Sequence, residues 1–142
     1  MVKKIGLLIS FFLVLMAGCV KEDENLSAKG EIAKSHLEEL GYKILSFESE
    51  DVLRFSKAQL EVLPYKAMWE VQSVSPDKYI YKNIDTVDFI VRNHPLDDLF
   101  DMGKTRVTVF IYNDEVIGGL SSPTSKYNDV VGGWYSIDGK NP

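Results

Sequence analysis

Thr105-Arg106-Val107-Thr108-Val109-Phe110-Ile111-Tyr112, followed by Asn113-Asp114 and Glu115-Val116-Ile117-Gly118-Gly119-Leu120, decides the fold class. The first eight residues alternate cleanly, with Val107, Val109 and Ile111 on one face and Arg106, Thr108 and Phe110 on the other, the period of a strand. Asn113 and Asp114 both tolerate positive φ, so they should close a tight hairpin onto a second strand over residues 115–120. Gly118-Gly119 should end or bulge that partner strand.

Working outward from this hairpin, residues 79–81 and 85–91 carry the β-branched and aromatic residues of further strands. Residues 42–47 read as another, which residues 52–55 continue or pair with. Ahead of these, residues 31–40 have helical spacing, placing Ile32, Ala33, His36, Leu37 and Leu40 on one side. Gly41 stands where a left-handed C-cap belongs. Ser56-Lys57-Ala58-Gln59 has capping-box form, and a second helix should follow with Leu60, Leu63, Ala67 and Val71 inward. Pro64 should kink that helix or divide it in two. Ser75-Pro76-Asp77 signals a turn. Residues 93–103 form a loop with one helical turn near residues 96–100, and the tail after Pro123 is rich in turns. Helices first and antiparallel strands afterwards predict an α+β fold, a sheet of about four to five strands packed against two helices.

The N-terminus has a different character. Lys3 and Lys4 precede an uncharged apolar run, and the small residues Ala17 and Gly18 precede Cys19, the shape of an export signal with its cleavage point. Leu15-Met16-Ala17-Gly18-Cys19 resembles the lipobox of bacterial lipoproteins, in which diacylglycerol is attached to the cysteine sulfur and the chain is cut before it. Met16 departs from the commoner Leu. The uncharged run from Ile5 to Val20 is 16 residues long, short of the ~20 that span a bilayer. An uncleaved N-terminal membrane anchor is the competing reading. Cys19 is the only cysteine of the chain, so no disulfide framework is available to an exported domain. Two acyl chains on Cys19 would hold it stably, at about 0.8 kcal/mol per buried methylene. The expected organisation is a lipoprotein signal peptide over residues 1–18, a lipidated Cys19 with a flexible tether to residue 30, and a single domain over residues 31–142.

Charge narrows the partners. Removing residues 1–18 takes away two of the 16 basic residues, Lys3 and Lys4, and none of the 21 acidic ones, so the balance moves from −5 to −7. Such a surface excludes nucleic acid, whose affinity rests on Lys and Arg neutralising phosphates. It also disfavours attachment to anionic lipid by charge alone. The membrane is instead expected as a partner through the lipid on Cys19, on the outer face of the cytoplasmic membrane.

No residue set stands out as catalytic. His36 lies on the apolar stripe of the first helix and reads as a packing residue. His94 sits in Asn93-His94-Pro95-Leu96-Asp97-Asp98, where Asp97, Asp98 and Asp101 lack the alternate spacing and glycine of a calcium loop. The sequence reads better as a turn whose acids start a helical turn. Ser121 and Ser122 lack the G-x-S-x-G elbow. Gly118-Gly119 and Gly132-Gly133 lack the pattern of a phosphate loop. No cofactor or metal is expected. The aromatic residues Tyr65, Trp69, Tyr79, Tyr81, Phe110, Tyr112, Tyr127, Trp134 and Tyr135 should complete the core and seal the sheet edge, or else form a partner surface.

With its lipobox, its His94-Pro95-Leu96-Asp97-Asp98 turn, Val116-Ile117-Gly118-Gly119 and Tyr135-Ser136-Ile137-Asp138-Gly139-Lys140, the chain resembles small lipoproteins of Bacillus-type (Gram-positive) bacteria over residues 31–140. That resemblance implies location and no activity. The hairpin ending in Ile117-Gly118-Gly119 is also similar to exported regulatory domains that inhibit peptidases, and no residue role carries over from them. The expected function is a binding or accessory domain at the cell surface, with an envelope protein or a small ligand as partner. The alternative is a small envelope hydrolase or metal-dependent enzyme centred on His94.

Overall fold

The computed structural model describes residues 25–99, 103–125 and 132–140. Residues 1–18, Cys19, Phe100, Asp101 and Tyr127 lie outside the described residues. The fold is α+β: a five-stranded antiparallel sheet whose strands follow one another in space in chain order. They are β1 (Lys43–Leu53), β2 (Ile84–Arg92), β3 (Thr105–Tyr112), β4 (Glu115–Pro123) and β5 (Tyr135–Ser136). Helices α1 (Ala28–Glu39) and α2 (Tyr65–Glu70) complete it.

The hairpin forms where the alternation places it. Asn113 and Asp114 have φ of 50° and 62°, the mirror-image turn whose twist matches paired strands. A bulge falls directly before Gly118-Gly119, at Ile117. Phe110 faces Gly118 while Ile111 faces Val116, so Ile117 is the extra residue. A side chain at Gly119 would overlap the Thr108 carbonyl oxygen, and one at Gly118 would overlap the Gln72 carboxamide. Close approach therefore requires both glycines. On β1, residues 52 and 53 continue the strand begun at Lys43, across two register shifts against β2.

α1 starts at Ala28, three residues before the expected Glu31. The Ser27 hydroxyl accepts from the amides of Lys29 and Gly30, at 3.1 Å each, and caps the helix. Residues 27–30, read from their polarity as tether, thus belong to the domain. At the other end Gly41, φ +88°, donates its amide to Glu38 O and closes the turn. Ala33 and Leu37 are fully buried, Ile32 and His36 partly so, while Leu40 of the expected stripe is exposed. Leu40 is the C-cap residue, its amide still bonded to His36 O.

α1 packs on one face of the sheet, against Val87, Phe89, Val91, Val107, Val109 and Ile111, all fully buried. Each such side chain contributes roughly 1.5–3 kcal/mol relative to exposure. The opposite face is covered at one end only. There Phe55, Trp69, Tyr79, Ile84, Phe110 and Leu120 form a second, aromatic cluster. Its cover is the expected second helix, divided at Pro64 into a 3-10 turn (Ala58–Glu61) and α2. The capping box opens the 3-10 turn: the Ser56 amide donates to Gln59 Oε1 at 2.8 Å, and the Gln59 amide returns to Ser56 Oγ at 3.4 Å. Leu63, expected inward, is 74% exposed, and Trp69 anchors this layer instead.

Residues 79–81 do not form the expected strand. Pro76–Tyr79 is a 3-10 turn begun by Ser75, whose hydroxyl accepts from the Asp77 amide. Tyr81 then takes φ 59°, which no strand tolerates, and donates its amide to Phe55 O. Proline at the first turn fixes the helical φ and overrides the β-propensity of the tyrosines. Among the described residues no helix is long and apolar enough to cross a membrane.

Candidate functional site

Where the aromatic cluster stops, the same sheet face opens into a cleft of about 360 Å³. Strand register builds its floor. Asp88 on β2 lies opposite Thr108 on β3, and Thr86 opposite Phe110. Arg106 lies opposite Ser122 on β4, and Thr108 opposite Leu120. Side chains two residues apart share a face, so Thr86, Asp88, Arg106, Thr108 and Ser122 form one polar patch. Asp51 and Leu53 border it on β1, Met68 on α2, and Trp134 on the far rim.

The centre of the patch is a diagonal cross-strand ion pair. Arg106 Nε and Nη2 both donate to Asp88 Oδ2, at 3.1 and 2.9 Å. The side chains are 29% and 20% exposed, so the pair is neither sealed in the core nor freely solvated. Because both donors converge on one oxygen, Asp88 Oδ1 keeps its acceptor capacity toward the cleft.

Two sets of bonds hold the walls. The Ser121 hydroxyl donates to Ser136 O at 2.6 Å and Ser122 to Gly133 O at 3.2 Å, which fixes the segment bearing Trp134 against β4. Also along β4, Gln72 Nε2 donates to Gly119 O at 2.8 Å and Gln72 Oε1 accepts the Gly119 amide at 3.0 Å. The carboxamide thus pairs with β4 as a neighbouring strand would. It also donates to Met68 O at 3.0 Å, tying α2 to the sheet beside the cleft. Within the aromatic cluster, Trp69 Nε1 is a buried donor with no partner among the described residues.

Of the residues weighed from sequence, Ser121, Ser122, Phe110 and Trp134 line the cleft, and the histidine and its acidic neighbours sit elsewhere. His94 is buried on the α1 side, its ring 4.6 Å from that of Tyr42. The Leu96 amide can only donate, so Nδ1, 3.0 Å away, accepts and the ring proton sits on Nε2, which donates to Ile137 O at 3.0 Å. Burial lowers the His94 pKa below its usual 6.5, against weaker opposing effects from Ile137, Asp97 and Asp138. Burial likewise pushes the Tyr42 phenol up to about 12, helped by Asp138 and Asp97. Its hydroxyl donates to the same Ile137 carbonyl at 3.3 Å. Asp97 accepts from Thr105 Oγ1 at 2.9 Å and from the His94 amide at 3.3 Å, so it staples the loop rather than facing a ligand.

His94 therefore ties the C-terminal turn to the 93–99 loop, Asp97 ties that loop to β3, and Asp98 is exposed. Among the described residues no three His, Cys, Asp or Glu side chains are grouped to hold a metal. The Ser121 and Ser122 hydroxyls are committed to backbone carbonyls, as above. Of the aromatic residues, Trp69, Tyr79 and Phe110 are buried, Tyr65, Tyr112, Trp134 and Tyr135 partly so, and Tyr81 is exposed. Core completion is thus their main role, with Phe110 and Trp134 also lining the cleft.

Asp88, Thr86 and Met68 carried no signal as site residues, and Ser122 suggested itself only as a nucleophile. The available hint was Arg106 and Thr108 on the polar face of β3, opposite a run of Val and Ile. Compared with known proteins, the chain matches no family model, no curated protein and no solved structure.

Proposed function

We propose that the protein is a lipid-anchored extracytoplasmic binding protein, held to the outer face of the cytoplasmic membrane through Cys19, with the cleft over β2–β4 as its ligand site. The observation that carries the binding reading is the polar floor of that cleft. A sheet face in a small domain is normally closed with apolar residues, because burial supplies most of the stability. Here the two strands that turn Val87, Phe89, Val91, Val107, Val109 and Ile111 toward α1 present Thr86, Asp88, Arg106 and Thr108 on the other side, beside apolar walls. Convergent polar groups within a partly apolar concavity are the form of a small-molecule site. The roles found for His94, Asp97, Ser121 and Ser122 favour binding over catalysis, since each is already committed to holding the fold.

The anchor reading rests on Leu15-Met16-Ala17-Gly18-Cys19 after its apolar run. Intact-mass spectrometry of protein taken from membranes tests it, beside a Cys19→Ala variant. The expected chain starts at Cys19 and carries the mass of diacylglycerol, which the variant lacks. A wild-type chain that keeps residues 1–18 unmodified would replace lipid attachment by an N-terminal membrane anchor and leave the cleft reading untouched.

A further inference from the structure

We infer that the cleft takes a neutral saccharide, a deduction that rests on the cleft being the ligand site. Charge eliminates the simplest alternatives. The charged groups lining it are Asp51, Asp88 and Arg106, so it carries one net negative charge. An anion would meet a guanidinium already neutralised by Asp88 and would stand beside a second carboxylate. An amine would meet the Arg106 guanidinium, 2.9 Å from Asp88 Oδ2, as a like charge, which leaves it only Asp51 on the exposed border of the cleft. What remains complementary is an uncharged ligand that both donates and accepts.

The ion pair offers that combination in adjacent positions. Asp88 Oδ1 accepts, and the guanidinium edge that does not touch Asp88 donates. Neighbouring hydroxyls on a sugar ring satisfy both: one donates to the carboxylate while the next accepts from the guanidinium. Hydrogen bonds to ionised groups are the stronger kind. Thr86 and Thr108 add hydroxyls of either sense on the same floor. Trp134, Met68 and Leu120 supply apolar walls, against which the C–H faces of a pyranose lose water without losing hydrogen bonds. The volume lies near the lower end of the range for ligand sites, about 300–1,000 Å³, and the open side allows a longer chain to leave the cleft.

The test uses the full lipidated protein in detergent. Titration calorimetry and tryptophan emission are followed with cello-, malto-, xylo- and chito-tetraose, and separately with spermidine and inorganic phosphate. At least one tetrasaccharide is expected to bind and shift the emission, while phosphate and spermidine do not bind in the cleft. Asp88→Asn should weaken that binding by about tenfold or more, the scale of a hydrogen bond to a charged group. Thr108→Val and Trp134→Ala should weaken it by a few-fold, and Glu61→Gln, on the exposed 3-10 turn, should leave it unchanged. Thr108→Val nearly preserves shape, so it reports on the hydroxyl if Asp88→Asn perturbs folding. Binding of spermidine or phosphate that is sensitive to these variants, with no tetrasaccharide bound, would overturn the saccharide assignment and keep the cleft as the site. If no probe binds, or if bound saccharide ignores all three variants, both the assignment and the ligand-site reading are wrong.

Discussion

On the α1 side of the sheet, Val87, Phe89, Val107 and Val109 are fully buried. One residue along the same strands, Thr86, Asp88, Arg106 and Thr108 turn to the other side and remain partly exposed. Backbone, register and twist are shared, so the difference lies in side-chain chemistry and in how much of each face is covered. A long amphipathic helix capped at both ends closes the first face. On the second, the covering segment is broken at Pro64, and α2 is only six residues long. The division of labour follows: one face supplies stability, and the other can leave polar groups unclosed because the first has already formed a core.

The largest effect should come from opening the closed face. Phe89→Ala is expected to cost about 3–5 kcal/mol, read as a lower urea midpoint, whereas Trp134→Ala on the cleft rim should cost much less. Equal losses at the two positions would erase the distinction between the faces. Next, Gly119→Ala forces a methyl group onto the Thr108 carbonyl and should cost about 1–3 kcal/mol. Gly133→Ala, whose added carbon meets nothing within 4 Å, is its near-neutral control.

Smaller again is a pH effect lodged on the α1 side. His94 is held neutral, with its folded pKa below the unfolded 6.5, so the unfolded chain takes up a proton first as pH falls. Its contribution is therefore complete above about pH 6.5 and declines below it, by at most about 1.4 kcal/mol per pH unit for one proton. Urea denaturation at pH 7.5 and 5.5 should show this loss, and His94→Gln should flatten it. An unchanged slope in the variant would assign the pH dependence to other groups. The smallest change in stability is expected from Arg106→Gln, below about 1 kcal/mol, since partly exposed ion pairs contribute little. A loss of several kcal/mol there would mean that the cleft floor is core after all.

Legibility in the sequence followed the range of the interactions. β3, the Asn113-Asp114 hairpin and the bulge beside Gly118-Gly119 were readable because strand period and turn chemistry act over a few residues. The capping box at Ser56 and Gln59 was readable too, although the element it opens proved to be a 3-10 turn. What escaped depends on partners far along the chain. Tyr79 and Tyr81 have strand propensity, yet Pro76 and the contact with Phe55 place them in turns. Ser27 caps α1 from within a stretch whose polarity suggested tether. The cleft was least accessible of all: Asp88 and Arg106 are 18 residues apart, and only the register of β2 on β3 makes them neighbours. His94, conspicuous as one of two histidines, proved to be a brace for the C-terminal turn.

In the proposed ligand site, the double pairing of Gln72 with Gly119 bears on selectivity. Met68 lies on α2, Gln72 two residues past its end bonds back to Met68 O, and Gly119 is adjacent to Leu120, so these hydrogen bonds set the spacing between one jaw of the cleft and its bed. A mouth whose width is pinned in this way discriminates among guests as a sieve does, by admitting what already fits. Replacing Gln72 by a side chain unable to bridge would loosen that mesh, and broader acceptance of guests, rather than weaker grip on all of them, is its expected signature.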